Sequence, residues 1–162
     1  MIVTAHGNMT VTAHGKAQIA RVQFDKGRAF VGAALLLKPH TQSESYKYVY
    51  LHLVCQGIEL ILKGLLLTKD YDTYRPRMRT FGHDILILAE ETLAEFSLKP
   101  LTPKIEQDLK YLSQQFSKHN LRYSSINDIF IDPNSIAINS VMRRLGACIR
   151  LAIRHINRIL FP

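Results

Sequence analysis

Residues 75–84 bring together three arginines, a histidine and an aspartate. They read R-P-R-M-R-T-F-G-H-D and supply Arg75, Arg77, Arg79, His83 and Asp84. Arginine binds phosphate through bidentate hydrogen bonds, histidine exchanges protons near neutral pH, and the N-terminus of a helix attracts anions. The segment therefore predicts a site for a phosphate group. In the alternative interpretation, His83 and Asp84 only cap a helix and hydrogen-bond to its neighbour.

A second polar set follows one face of the most apolar segment. It consists of four residues spaced i, i+4, i+7 and i+11: His52, Gln56, Glu59 and Lys63. This spacing puts all four side chains on the same side of a helix. An exposed Glu59–Lys63 pair contributes only a few tenths of a kcal/mol, whereas a buried pair needs further polar partners. We interpret the set as a largely internal polar cluster.

Two irregular segments contain residues that can pair with this cluster. His83 belongs to the first, and Arg122 and Tyr123 belong to the second. We therefore expect residues 79–84 and residues 119–124 to converge on the polar face of the helix. The result is either an architectural network or a ligand-binding cleft. The candidate binding residues are Glu59, Lys63, His83, Asp84, Arg122 and Tyr123, together with Arg75, Arg77 and Arg79.

The segment Thr41–Thr68 carries the polar cluster. It contains no proline and is apolar nearly all the way round, which indicates a central helix covered on several sides. Its length suits about seven helical turns. Thr41 and Glu44 have the spacing of a capping box, which predicts that the helix begins at Thr41.

The segments on either side of the central helix differ in character. Residues 17–38 are rich in glycine and alanine and have a helical pattern, which Pro39 ends. The short connection that follows predicts an antiparallel pair of helices. Residues 69–84 are expected to form a polar loop, because Pro76 and Gly82 exclude a continuous helix.

Three further helices have recognisable starts. Asp84 opens the first, where its carboxylate suits the positive end of the helix. Thr102 and Asp132 are each followed by proline, which is the signal of an N-cap and a first helical residue. The chain therefore predicts an all-α, antiparallel up-and-down bundle of four to five helices.

The N-terminal residues 1–16 contain the repeat V-T-A-H-G twice. We expect an extended or loosely docked arm, in which Gly7 and Asn8 could turn a small hairpin. The two histidines of the repeat, His6 and His14, have no carboxylate or thiolate nearby to complete a metal site. Residues 17–162 then form a single helical domain.

The positive charge of the chain is unevenly distributed. The 162 residues have a formal net charge of +8, and residues 134–162 contain five arginines but no acidic residue. Such a patch favours a polyanion or an acidic protein as the partner. The apolar content of 47% is that of an ordinary globular domain.

The cysteines and the apolar runs indicate the cellular compartment of the protein. Cys55 and Cys148 lie within apolar helical patterns, which indicates reduced core thiols in a cytoplasmic protein. No uninterrupted apolar run has the length of a membrane span. The N-terminus also lacks the basic and apolar regions of a secretory signal. We expect no contact with a membrane.

Three segments carry a resemblance to a known family. They are H-L-V-C-Q-G-I-E-L-I-L-K-G-L-L-L in the central helix, F-G-H-D-I-L-I-L at the next helix, and L-R-Y-S before the last. Together they resemble the HEPN superfamily of small helical bundles, and in particular a group of uncharacterised bacterial members. The resemblance implies an antiparallel bundle, a homodimer, and action on or alongside nucleotides and RNA. Some members are metal-independent ribonucleases, and others are partners of minimal nucleotidyltransferases.

The ribonuclease members carry an arginine and a histidine, with four to six residues between them, at the start of the last helix. Arg150 and His155 have this spacing, as do Arg77 and His83. In such a pair the histidine transfers protons and the arginine stabilises the charged transition state. Arg150 and His155 lie well past the helix start and about 140° apart around it, so two subunits would have to bring them together. Arg77 and His83 precede a different helix.

The sequence thus predicts a HEPN-like binding module without catalytic activity, which binds RNA, a nucleotide or a partner protein through an arginine-rich surface. A metal-independent ribonuclease using Arg150 and His155, or Arg79 and His83, is the first alternative. A purely structural dimerisation module is the second. No P-loop, nucleophile elbow or metal-binding signature occurs in the sequence, so no cofactor or metal is expected.

Overall fold

The structure, a computed structural model, describes residues 2–3, 9–118, 120–121 and 138–160, with only the backbone at residues 2–3, 9–10 and 155–160. The described residues contain six α-helices: α1 (Ala13–Leu37), α2 (Glu44–Lys69), α3 (Tyr71–Phe81), α4 (Ile85–Glu95), α5 (Pro103–Ser117) and α6 (Ile138–Leu160). Two short strands near the N-terminus, β1 (Ile2–Val3) and β2 (Met9–Thr10), pair in antiparallel orientation. The predicted all-α bundle is confirmed.

The central helix of the bundle is α2. It contacts α1, α3, α4, α5 and α6, and Leu51, Leu62 and Leu66 are among its fully buried side chains. By length and composition alone α2 could cross a membrane, but 72% of its most apolar stretch is buried against the other helices. This degree of burial is that of the core helix of a soluble protein.

The helices α1 and α2 pack antiparallel at very short range. A Cβ atom on Gly27 would lie 2.7 Å from the carbonyl oxygen of Gly57, and one on Gly64 would lie 2.9 Å from the backbone nitrogen of Phe24. Earlier residues of α1 therefore contact later residues of α2, as antiparallel helices require. The glycines permit this contact because they have no side chain to separate the two backbones.

The helix starts differ from the predicted ones at α1 and α2. Helix α1 begins at Ala13 rather than near residue 17, because the hydroxyl of Thr12 caps it by accepting a hydrogen bond from Gly15 N at 3.1 Å. The predicted capping box of α2 is wrong. Thr41 ends a short 3₁₀ turn (Lys38–His40) and donates its hydroxyl hydrogen bond to the carbonyl of Lys38, so Ser43 becomes the N-cap.

The predicted loop at residues 69–84 is also wrong for most of its length, because it contains α3. Asp70 caps this helix by accepting from Thr73 N at 3.0 Å. Proline inside a helix removes one backbone hydrogen bond. The burial of Tyr74, Met78 and Phe81 on the inner side of α3 offsets that loss.

The remaining helix starts follow the sequence where the structure describes them. Asp84 is the N-cap of α4, and Pro103 is the first residue of α5 after the N-cap Thr102. The predicted start of the last helix at Asp132 lies outside the described residues, in which α6 begins at Ile138.

Candidate functional site

Glu59, Lys63 and His83 form a polar network in the middle of the bundle. The Nζ atom of Lys63 lies 2.7 Å from Glu59 Oε1, and His83 Nδ1 lies 3.0 Å from Glu59 Oε2. Lys63 also donates a 2.6 Å hydrogen bond to the carbonyl oxygen of Gly82. Both carboxylate oxygens of Glu59 are thus paired with side chains at the distances of charge-assisted hydrogen bonds. The predicted convergence of residues 79–84 on the polar face is confirmed.

The chain reverses sharply to bring His83 to this network. Gly82 ends α3 with a positive φ of 53°, a conformation that glycine adopts without steric cost. His83 follows directly, and its ring packs edge-on against Phe116 of α5 with 5.7 Å between centroids. Its side chain is 39% exposed, whereas that of Glu59 is only 4% exposed. The network therefore reaches from the core to the surface through His83.

Asp84 and Ser113 join the start of α4 to α5. Asp84 Oδ1 accepts hydrogen bonds from the backbone nitrogens of Leu86 and Ile87 at 3.0 and 3.2 Å, and from the Ser113 hydroxyl at 2.8 Å. Ser113 in turn accepts from Ile85 N at 2.9 Å. The N–H groups that an anion would need at this helix start are already bonded to the protein, which favours the capping role of Asp84 over a phosphate site.

Sequence reasoning missed Ser113. The residue is buried next to Leu112 and near Phe116 in the apolar face of α5. A buried hydroxyl needs a hydrogen-bond partner. A serine within an apolar helical stripe was therefore the available signal that a polar group of another helix lies opposite.

The geometry of Glu59 and His83 is suited to holding one histidine tautomer. An ionised carboxylate only accepts hydrogen bonds, so the contact with Glu59 places the proton on Nδ1 of His83. In a neutral ring the other nitrogen, Nε2, is then an acceptor. A carboxylate that fixes a histidine in this way is a common arrangement behind general bases, and it serves equally well as a structural link.

The three arginines of α3 divide between two sides of the helix. Arg77 turns inward, where its Nη1 atom lies 2.6 Å from Glu91 Oε1 and its guanidinium stacks on Tyr74 at 5.3 Å. The hydrogen bond from Arg77 lowers the pKa of Glu91 below the ordinary value for glutamate. Arg75 and Arg79 are exposed and one turn apart on the other side, whereas the Arg77 side chain, although 43% exposed, is already paired with Glu91.

Tyr74 completes the contact between α3 and α4. Its hydroxyl donates a 2.6 Å hydrogen bond to Glu95 Oε2, and it lies 3.2 Å from Glu91 Oε1. Burial, together with the bond to Glu95 and the nearby carboxylates, raises the pKa of Tyr74. This tyrosine is therefore a fixed part of the helix packing and is not available to stack on a base.

The exposed side of α6 is an arginine face. Arg143, Arg150 and Arg154 are spaced i, i+7 and i+11, and all three are exposed. Among the described residues, none of the ion pairs involves these arginines. Arg144 instead points across the bundle and donates to the carbonyl oxygens of Lys99 and Pro100 at 2.7 and 3.0 Å. We call Arg143, Arg150 and Arg154 the α6 arginine face.

Several predicted site residues lie outside the described part of the chain. They are Arg122 and Tyr123, and the side chain of His155, although the backbone of His155 belongs to α6. Arg150 lies on the exposed arginine face. Because the two positions are five steps apart in the helix, about 140° around its axis lies between them. Their backbone positions therefore lie on different sides of α6.

The cysteines and the histidine of α1 form no reactive centre. Cys55 and Cys148 are both buried, and burial raises the pKa of each thiol, so the thiolate is disfavoured. His14 is exposed on α1, and His6 lies outside the described residues. Within the part of the chain that the structure describes, no three histidine, cysteine or acidic side chains are placed to hold a metal ion.

Comparisons of the chain with protein-family models, with curated proteins and with solved structures found no match. Two features of the structure bear on function, the α6 arginine face and the network of Glu59, Lys63 and His83. The first is accessible and positively charged. The second is mostly buried and reaches the surface only at His83.

Proposed function

We propose that this protein is a HEPN-like binding module for RNA, and that the α6 arginine face is its main contact surface. The observation that carries the proposal is the exposure of Arg143, Arg150 and Arg154 on one side of a helix, with no carboxylate ion pair among the described residues. Arginines that are not neutralised within the protein attract an external anion.

The spacing of the face suits a chain of phosphates better than a single one. From Arg143 to Arg154 the helix rises roughly 16 Å at 1.5 Å per residue. A guanidinium group can bind one phosphate with two parallel hydrogen bonds, and three such groups in a row follow a nucleic-acid backbone. Arg75 and Arg79 on α3 provide a second exposed pair that can bind the same ligand or a nucleotide.

The partner and compartment follow from the same features. The resemblance to HEPN proteins supports RNA or a nucleotide as the ligand, and it also suggests a partner of the nucleotidyltransferase type. An acidic protein surface would meet the same arginines through carboxylates. A cytoplasmic location suits the two buried, reduced thiols.

Salt-dependent RNA binding tests this proposal. The affinity of the wild type for a single-stranded RNA is measured by fluorescence anisotropy at several salt concentrations. Each phosphate contact contributes about −0.7 to the slope of log K against log salt for single strands. The variant Arg150→Gln/Arg154→Gln should bind more weakly and should reduce the steepness of this slope by roughly 1.4.

The matched control removes two arginines that share one carboxylate partner within the protein. Arg21 and Arg28 lie 3.6 and 3.9 Å from the carboxylate of Asp25 on α1. Arg21→Gln/Arg28→Gln changes the net charge by the same amount, so general attraction falls equally in both variants. Equal weakening in the two variants would contradict a specific α6 contact, and RNA binding without salt dependence would contradict the polyanion proposal itself.

A second candidate function, metal-independent RNA cleavage, is favoured by the Glu59–His83 contact. The carboxylate holds a half-exposed histidine in one tautomer, and the exposed Arg79 precedes it by four positions in the sequence. Incubation of RNA with wild type, His83→Ala and His155→Ala in the presence of a chelator tests this candidate. Cleavage lost only in His83→Ala would support the Arg79/His83 pair, and loss only in His155→Ala would support Arg150/His155. No cleavage by any of the three proteins would exclude catalysis on that RNA.

A further inference from the structure

One exposed side of α1 carries a row of residues at coiled-coil spacing. The row consists of six residues separated by alternate steps of three and four: Ile19, Val22, Lys26, Ala29, Ala33 and Leu36. Steps of three and four keep residues along one side of a helix. All six are exposed, and Leu36 is 78% exposed. An exposed row of this kind, apolar except for Lys26, marks an interaction surface.

The neighbouring helix α2 widens this surface. Tyr46 and Val49 are exposed on it, and Leu53 and Leu60 line two hollows between α1 and α2 with volumes of about 280 and 410 Å³. Lys26 borders both hollows, so they adjoin each other. The surface is therefore two antiparallel helices wide, which is half of a four-helix bundle. We call it the α1–α2 face.

The spacing of the α1 row is symmetric, so the row can pair with the same row of a second copy. The steps three, four, three, four, three read the same in both directions. A two-fold axis between Lys26 and Ala29 therefore places Ile19 opposite Leu36 of a second copy, and Val22 opposite Ala33. Large residues then meet at the ends of the row and smaller ones lie towards its middle. A two-fold contact requires such self-complementarity.

The charges of α1 favour the same arrangement. All of its charged residues precede Ala29, and residues 29–37 read A-F-V-G-A-A-L-L-L. In an antiparallel pair Lys26 lies opposite the small, uncharged Ala29 of the second copy, whose size leaves room for the lysine stem. In a parallel pair the two Lys26 side chains would lie opposite each other and repel. A single lysine in an otherwise apolar seam selects between such alternatives.

We propose that the α1–α2 face binds a second copy of this chain, with the two α1 helices antiparallel about a two-fold axis between Lys26 and Ala29. None of the α6 arginine face takes part in this contact, so the proposal does not depend on RNA binding. The resulting dimer carries two arginine faces and covers the apolar row of each α1.

Sedimentation equilibrium of three variants tests the surface. The wild type should form a dimer, and Leu36→Glu should raise the dimer dissociation constant at least about tenfold, because it brings a carboxylate to an apolar contact. Lys26→Leu should lower the constant, since it replaces the polar residue of the seam. The control Leu151→Glu makes the same exchange at an exposed leucine of α6 and should leave the constant unchanged. A monomeric wild type, or a dimer that survives Leu36→Glu, would overturn the proposal.

Cross-linking tests the orientation. The variant Ile19→Cys/Leu36→Cys should form a covalent dimer under mild oxidation. Either single variant should not, because its cysteine would lie far from the same cysteine of the second copy. The two positions are 17 steps apart, which is roughly 25 Å along the helix. The native thiols are buried and do not compete. Cross-linking of each single variant would indicate parallel helices and would overturn the antiparallel assignment.

Discussion

The side chain of Lys63 donates a 2.6 Å hydrogen bond to the backbone carbonyl of Gly82. This bond joins the centre of α2 to the turn between α3 and α4. Lys63 is buried, and its charge is balanced by Glu59 at 2.7 Å. The turn that presents His83 is therefore held in place by a buried ion pair, whose integrity can be measured.

Removing the charge of Glu59 should destabilise the protein strongly. Glu59→Gln leaves Lys63 buried without its counter-ion, and such single removals cost about 3–5 kcal/mol. We therefore expect a fall of that size in the free energy of unfolding, measured by urea denaturation. Glu59→Leu/Lys63→Met removes both charges and should be less harmful than either single substitution.

The exposed pair of Lys104 and Asp108 provides the control for this series. Its charged atoms are 3.9 Å apart, and the lysine side chain is 82% exposed. Exposed pairs of this kind contribute less than about 1 kcal/mol, so Lys104→Met should change the stability little. If Glu59→Gln were equally mild, the buried pair would have no structural role.

Residue spacing alone predicted part of the polar network. The shared face of Glu59 and Lys63 followed from helical geometry, and their burial followed from the leucines around them. His83 was identified as a partner because it lies in an irregular segment and can pair with Glu59 and Lys63. Ser113 was missed because its partner, Asp84, comes from a different helix, and no local pattern encodes such a pairing.

The helix α3 was not predicted from the sequence, for a related reason. Pro76 and many polar residues argue locally against a helix. The tertiary contacts of Tyr74 and Arg77 with Glu91 and Glu95 stabilise it nevertheless. The sequence shows the spacing of Tyr74, Met78 and Phe81, but not the surface of α4 that covers Tyr74. Local propensity is a weak guide where tertiary packing decides.

Adding a methyl group at Gly27 should disrupt the contact between α1 and α2. The new Cβ of Gly27→Ala would lie 2.7 Å from both the carbonyl oxygen of Gly57 and the backbone nitrogen of Ile61. Because backbone atoms cannot move aside, we expect a loss of about 1–3 kcal/mol in thermal or urea unfolding.

Gly32, on the same helix, is the matched control for this substitution. A Cβ there would meet nothing within 4 Å, so Gly32→Ala should gain up to about 1 kcal/mol from helix propensity. We therefore expect the free energy of unfolding to fall in Gly27→Ala and to rise in Gly32→Ala. A stabilising effect of Gly27→Ala would contradict the close approach of the two helices.

Replacing Ser97 with glycine should stabilise the protein. Ser97 has a φ of 51°, and it follows α4 in a C-terminal motif where its nitrogen donates to Ala94 O and Leu98 N donates to Leu93 O at 2.8 Å. Glycine is the residue that this position favours. Ser97→Gly should therefore raise the free energy of unfolding by roughly 1 kcal/mol, whereas Ser97→Ala should bring no such gain. A destabilising Ser97→Gly would show that the serine side chain contributes more than its backbone strain costs.

The contact between Arg77 and Glu91 should make the stability depend on acid pH. The hydrogen bond from Arg77 lowers the pKa of Glu91 in the folded state. The contribution of the Arg77–Glu91 contact to stability is therefore fully present above the ordinary glutamate pKa of about 4.3. This contribution is lost as the pH falls through the lowered folded-state pKa of Glu91. Urea denaturation across this range should show a smaller pH dependence for Glu91→Gln than for the wild type. Glu90→Gln changes an exposed neighbour with no ion pair among the described residues, and it should leave the wild-type profile unchanged. An identical profile for Glu91→Gln and the wild type would mean that Arg77 does not hold this carboxylate in solution.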